Sequence, residues 1–235
     1  MGLDIKIPKF KFPKFKFKEI EDVESINLEK VKEKTEKNKK DKKQYEGTHF
    51  STIKEVFNNS MEKYANNVLI MEKEDHKTPY KEITYKQFGE DVINFGTGLT
   101  KVLNLKDERI IIISETTYGW YLSYMTLLCG AGIAVPLDKE LPVNEIENLI
   151  KRSKATAVIY SAKRKDQIDK VKDNVPMVKY FIEMNSYNKV KGRDVGLNYV
   201  LLEGKKLVEN GDESFKNIEI DPEEFKILFF TSGTT

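Results

Sequence analysis

At 235 residues with 40 Lys+Arg against 38 Asp+Glu, the chain is long enough to bury a real core, as one large domain or two small ones. A formal net charge of +2 provides no global field for nucleic acid. The single cysteine, Cys129, excludes a disulfide framework and a cysteine-rich metal site, and points to a reduced, cytoplasmic setting.

The first 46 residues differ from the rest and are read as a tail and linker, ahead of an ordered part over 47–235. No apolar run near the N-terminus has the make-up of a signal peptide, and Lys6 stands where a myristoylation motif requires Ser or Thr. Pro8-Lys9-Phe10-Lys11-Phe12 repeats as Pro13-Lys14-Phe15-Lys16-Phe17, so an extended backbone puts phenylalanines on one side and lysines on the other. One reading is a peripheral anchor to an anionic membrane through Lys9 to Lys18, at about 1 kcal/mol per lysine. The others are a solvated basic tail, or a strand added to a neighbouring sheet. Residues 30–43 then carry eight lysines against three acids, as a linker or fraying helix would.

From Gly47 the pattern becomes that of folded protein. Thr52-x-x-Glu55 is a capping box, followed at helical spacing by Ile53, Val56, Phe57, Met61 and Tyr64. Val68 to Met71 reads as a short strand. Thr84-x-x-Gln87 caps a second helix with Phe88, Val92, Phe95, Leu99 and Val102 on its apolar face. Arg109 to Ile113 is a continuous apolar run, the mark of a strand buried on both faces. The uncharged stretch Thr116 to Leu137 is long enough to cross a bilayer, but its glycines and Pro136 break it into a buried helix around Gly119–Leu128, a glycine turn, and a strand Ile133–Leu137. Pro142 opens a helix striped by Ile146, Leu149 and Ile150. A strand Ala157–Tyr160, a charged helix over 163–173, a strand Val178–Ile182, a helix Leu197–Val208 and a last strand Lys226–Phe230 follow. This alternation predicts an α/β fold: a mainly parallel sheet flanked by helices, its strand order not readable.

Several candidate sites are weak. No Walker loop or Gly-x-Ser-x-Gly elbow is present, and Gly130-x-Gly132 precedes a strand where a dinucleotide turn precedes a helix. His49 and His76 lack metal-ligand spacing, so no metal site is assigned. Cys129 reads as a packed thiol, and Trp120, Tyr121 and Tyr124 as core. The pointed feature is the last one. An apolar strand runs into Thr231-Ser232-Gly233-Thr234-Thr235, hydroxyls and free N–H groups around one glycine, a concave donor site for phosphate oxygens.

That loop resembles the phosphate loop of the adenylate-forming (AMP-binding) enzymes, whose motif continues Gly-x-Pro-Lys-Gly. Ile83-Thr84-Tyr85-Lys86-Gln87-Phe88 resembles the family's early Thr-Tyr-x-x-Leu helix entry, and Leu127 to Asp138 its glycine-rich helix end and Val-Pro-Leu-Asp strand exit. Glu115 to Trp120 and Pro136 to Pro142 are most similar to bacterial long-chain fatty acyl-CoA synthetases. The resemblance covers about residues 48–235. It implies the N-terminal part of a large domain that binds ATP with Mg²⁺ and passes a carboxylate, most simply a fatty acid, through an acyl-adenylate to coenzyme A. Thr231, Ser232, Thr234 and Thr235 would offer hydroxyls and Gly233 a close backbone approach. The family's catalytic lysines lie downstream of this chain, so by resemblance it carries no catalytic residue and is expected to be inactive alone. The alternatives are a non-catalytic binding or membrane-attached scaffold, and an adenylating enzyme for an aryl or amino acid.

Overall fold

A computed structural model describes residues 47–73 and 77–231. The tandem Lys/Phe repeat, the charged linker, His76 and Ser232 to Thr235 lie outside the described residues. The architecture is a five-stranded, wholly parallel sheet of order β4-β3-β5-β6-β7 with helices on both faces, beside a separate antiparallel hairpin β1-β2.

In chain order the elements are α1 (Ile53–Lys63), β1 (Val68–Glu72), β2 (Lys81–Thr84), α2 (Tyr85–Thr97), β3 (Glu108–Ile113), α3 (Tyr118–Thr126), β4 (Gly132–Pro136), α4 (Val143–Ser153), β5 (Ala157–Tyr160), α5 (Lys165–Val171), β6 (Tyr180–Glu183), β7 (Asp194–Gly196) and α6 (Leu197–Glu209). The apolar run of β3 divides its side chains between two cores, as a strand's period of two requires. Ile110 and Ile112 join Phe88, Phe95, Leu99, Leu122 and Val200 under α2, α3 and α6, while Ile111 and Ile113 join Ile146, Ile150, Ile168 and Val171 under α4 and α5. All four isoleucines are fully buried. At about 25 cal/mol per Å² of apolar surface, each contributes roughly 2–3 kcal/mol.

The helix starts follow local chemistry. Thr84 and Gln87 form the complete reciprocal cap: the Gln87 N–H donates to Thr84 Oγ1 at 3.2 Å and the Thr84 N–H to Gln87 Oε1 at 2.9 Å. Thr52 makes only half of its expected box, accepting from the Glu55 N–H at 3.2 Å, because the Glu55 carboxylate takes the N–H of Ser51 at 2.8 Å instead. Two glycines allow α2 and α6 to cross closely. A Cβ on Gly204 would overlap Asn94 O and Gly98 N, and one on Gly98 would overlap Val200 O. Both α2 and α3 end in a wide helical turn, and the second closes at Gly130, whose φ of +117° lies in the region that favours glycine. The stretch Thr116 to Leu137 therefore folds as helix, turn and strand. Among the described residues no helix is long and apolar enough to cross a membrane.

Several expectations are corrected. The stripe on α1 is not buried: only Phe57 is, while Ile53, Val56 and Tyr64 are exposed, because α1 packs by one edge against α2 and the wide turn Leu127–Ala131. Of the three aromatics on α3, Tyr121 is exposed and Trp120 and Tyr124 are half-buried, stacked on each other with centroids 5.0 Å apart. Their i, i+4 spacing aligns them along the flank of the helix, leaving the inward face to Leu122 and Ser123. Pro142 is the cap of α4, one residue before its first turn, and β6 starts at Tyr180. β7 was not foreseen. Finally, Lys226–Phe230 is no full strand. It forms a single parallel bridge, Ile227 beside Ala134, with the Ala134 N–H donating to Lys226 O and the Leu228 N–H to Ala134 O, both at 2.9 Å. The segment lies along the outer side of β4, and Phe225 and Phe229 are exposed.

Candidate functional site at the carboxyl edge of the sheet

Parallel strands deliver all their following loops to one edge. In this sheet β3 connects towards β4 on one side and β5 towards β6 on the other, so the β3/β5 crevice is the point where the winding reverses, the usual ligand position in such sheets.

The loops after β3, β4 and β5 are tied together there. The Ser161 hydroxyl donates to Glu115 Oε2 at 2.8 Å, and Arg164 Nη2 pairs with Glu115 Oε1 at 3.1 Å. Arg164 Nη1 donates to Lys139 O at 3.0 Å and to Gln167 Oε1 at 3.3 Å. Gln167 Nε2 reaches Leu141 O at 3.3 Å. Burial pulls the Glu115 carboxyl up, but the hydrogen bonds from Ser161 and its own backbone, with Arg164 and Lys163 nearby, outweigh it and hold the group below its ordinary range. Arg164 Nε is buried with no partner among the described residues, one donor that the cluster leaves unused.

Thr231 arrives at this same edge. Ile227 stands beside Ala134, and four residues on the chain has run past the end of β4, level in count with Asp138. Phe230 is half-buried against the core and lies under Arg152, whose guanidinium is 5.6 Å from the ring centroid. Thr231 itself is exposed. Of the five residues expected to bind phosphate, Thr231 is the one the structure places, and Ser232, Gly233, Thr234 and Thr235 lie outside the described residues. An exposed hydroxyl at the carboxyl edge of a parallel sheet suits a phosphate-bearing ligand.

The other candidates are placed plainly. Cys129 is buried among apolar side chains, its thiol pushed up to about 12 by that burial. His49 is exposed. Among the described residues no three His, Cys, Asp or Glu side chains stand together to hold a metal ion. Sequence reasoning missed Ser161 and Arg164 as partners of Glu115, and the Lys139 carbonyl as an acceptor for Arg164. It also missed the pair on the far side of α3, where the Tyr118 hydroxyl donates to Asp91 Oδ2 at 2.6 Å. Burial raises both groups, and the hydrogen bond itself partly offsets the rise at Asp91.

Residues 57–235 match the family described as AMP-binding enzyme. The chain belongs to that family. The landmarks occur in the family's order: the capped entry to α2, the glycine-broken end of α3 leading into β4, and the segment that leads to Thr231. Over 167 residues the chain is 30% identical to "Long-chain-fatty-acid--CoA ligase 5" of Rattus norvegicus, covering 67% of this chain and 24% of that relative. Over 201 residues it is 23% identical to "Long-chain-fatty-acid--[acyl-carrier-protein] ligase AEE15, chloroplastic" of Arabidopsis thaliana, covering 80% and 27% respectively. Its fold is similar to that of a long-chain-fatty-acid-CoA ligase (FadD1) from Archaeoglobus fulgidus, with TM-score 0.63 and 17% identity over 77% of this chain and 34% of that one. It is also similar in fold to the anthranilate CoA ligase AuaEII, with TM-score 0.55 and 17% identity over 64% and 27%. The chain thus spans about a quarter of the length of the curated relatives it matches.

Proposed function

We propose that this chain is the N-terminal part of an AMP-forming acyl-CoA synthetase that acts on fatty acids. A carboxylate is a poor electrophile because oxide is a poor leaving group. Attack of its oxygen on the α-phosphorus of ATP forms an acyl–phosphate bond and expels pyrophosphate, and a thiolate, most simply that of coenzyme A, then displaces AMP. The leaving pyrophosphate is a polyanion, so donors fixed beforehand around its oxygens lower the barrier. In this chain that task falls to the hydroxyls and N–H groups of Thr231 to Thr235. Mg²⁺, bound with the nucleotide, would share the phosphate charge. The Glu115–Ser161–Arg164 cluster positions the neighbouring loops and keeps the edge rigid.

The observation that supports this reading is the family match over residues 57–235, which ends on Thr231 to Thr235 after a segment bridged to β4. The fatty-acid preference draws on relatives named as long-chain-fatty-acid ligases.

The test starts from the gene, read past the codon for Thr235, and uses the polypeptide it encodes in carboxylate-dependent ATP–pyrophosphate exchange. Exchange with a long-chain fatty acid supports the proposal. Exchange only with anthranilate or an amino acid moves the substrate class, and no exchange with any carboxylate refutes it. The 235-residue polypeptide alone is expected to show none.

A further inference from the structure

The carboxyl ends of β5 and β6 carry a second polar cavity, separate from the Glu115 cluster. It has a volume of about 590 Å³ and is lined by Tyr160, Lys165, Glu183, Lys189, Lys191 and Asp194 among others. That volume lies within the range of small-molecule sites. Tyr160 is 1% exposed and lines this cavity, and its hydroxyl, which makes no hydrogen bond among the described residues, is not one of the buried unpaired atoms.

The charges on the walls are unevenly spent. Asp194 is already held by Lys172 at 2.6 Å, and Lys172 also reaches Asp169 at 2.6 Å. Lys165 makes one long contact with Asp169, at 3.6 Å. Lys189 and Lys191 have no ion-pair partner among the described residues. The loop that carries them is nevertheless well fixed. The Gly196 N–H donates to Asn188 O at 2.8 Å and the Asn198 N–H to Ser186 O at 2.9 Å, while Lys191 and Asp194 exchange backbone hydrogen bonds at 2.9 and 3.1 Å around Gly192, whose φ is +60°. Two unspent ammonium groups on a braced loop, a third at the start of α5, and a buried phenol on the floor form a recessed site for an anion. Glu183, half-buried at the end of β6, adds an acceptor that a bare anion would not use.

We propose that this cavity binds a small soluble phosphate ester, its phosphoryl oxygens taken by Lys189, Lys191 and Lys165 and its hydroxyls by Tyr160 and Glu183. The site is distinct from the expected ATP loop and does not rest on the adenylation reading. The phosphoryl group selects for charge, and the Glu183 carboxylate selects for a neighbouring hydroxyl donor over a second anionic group.

The experiment is a titration of the ¹⁵N-labelled 235-residue chain with ribose 5-phosphate, ribose or inorganic phosphate, followed by backbone amide shifts. The amides of Lys189 to Asp194 are expected to move with ribose 5-phosphate, less with inorganic phosphate, and not with ribose. Tyr160→Phe, which conserves packing, is expected to weaken binding about 5-fold, the worth of one hydrogen bond. The double variant Lys189→Gln/Lys191→Gln, on an exposed loop where folding is not at stake, is expected to weaken it more than about 10-fold and to flatten its salt dependence. Three results overturn the proposal: no shifts at about 10 mM ester, well beyond the range of specific sites; shifts confined to the Thr231 end; or unchanged affinity in both variants. Capture by phosphatidic acid vesicles without ribose 5-phosphate binding would also reject it, in favour of a lipid headgroup.

Discussion

The Glu115–Arg164 pair permits a quantitative test of how the carboxyl edge is held. Its side chains are 24% and 23% exposed, so the pair lies between a surface ion pair, worth about 0–1 kcal/mol, and a buried one, whose disruption costs about 3–5 kcal/mol. Glu115→Gln keeps the shape and one acceptor but removes the charge from two hydrogen bonds. The expected cost is about 1–2 kcal/mol near neutral pH. Arg164→Met also uncaps the Lys139 carbonyl, for about 2–3 kcal/mol. The double variant should then show a coupling of about 1–1.5 kcal/mol, since the two lesions share one contact. pH gives a second, independent reading. Glu115 is held below its ordinary value of 4.5 in the folded chain, so its stabilisation is complete above that value and is lost as pH falls through the lower folded one. The gap between wild type and Glu115→Gln should therefore narrow on acidification. Urea unfolding of the 235-residue chain, with midpoint and slope fitted at several pH values, measures both. A Glu115→Gln chain as stable as wild type at neutral pH, or a penalty that persists unchanged in acid, would refute the reasoning.

Three further outcomes follow from particular contacts. Gly204→Ala forces a methyl into the backbone of α2 at Asn94 and Gly98, and is expected to cost about 2–3 kcal/mol, or about 5–10 °C in melting temperature for a chain of this size. Tyr118→Phe leaves the half-buried Asp91 carboxylate without its donor, at about 2 kcal/mol. Because Asp91 is raised already and loses the one bond that lowers it, its folded state disfavours ionisation further, and the penalty should be larger at neutral than at acidic pH in urea midpoints. Ile53→Lys, at a position 52% exposed on the apolar side of α1, should change stability by less than about 0.5 kcal/mol while raising the concentration at which light scattering detects self-association.

The parts of the fold that were legible are those where one physical demand dominates. Ile110 to Ile113 could be read as doubly buried because every side chain is apolar, and these four isoleucines do divide between two cores. The Thr84–Gln87 cap was legible because both of its partners lie within one turn. The Thr52 box fails in its second half because a carboxylate has a choice of nearby N–H groups, and spacing alone does not say that Ser51 will present the better one. The α1 stripe fails for a different reason. Periodicity identifies an apolar face, but burial needs a neighbour to cover it, and among the described residues only Phe57 is fully covered. β7 was invisible because three residues, one of them glycine, carry no period, and it exists through backbone pairing with β6.

The same distinction decides how much of the site could be foreseen. The Thr231 loop is a contiguous motif, and its chemistry is visible wherever the hydroxyls and glycine fall together in the chain. The Glu115 cluster is assembled by strand order. Glu115 and Ser161 are 46 positions apart, and they meet only because β5 inserts on the side of β3 away from β4. Had β5 paired outside β4, Ser161 and Arg164 would stand one strand further from Glu115, and its carboxylate would be held by water. Strand order in a parallel sheet is set by which helix covers which face, a property of α3, α4 and α5 acting together and of no single segment. A carboxylate such as Glu115, lying just past a doubly buried strand, was the one available signal. Its side chain leaves a dry sheet at the edge where the loops converge, so it must either reach solvent or recruit a cation from the next strand's loop. Arg164, the first arginine after β5, meets that demand.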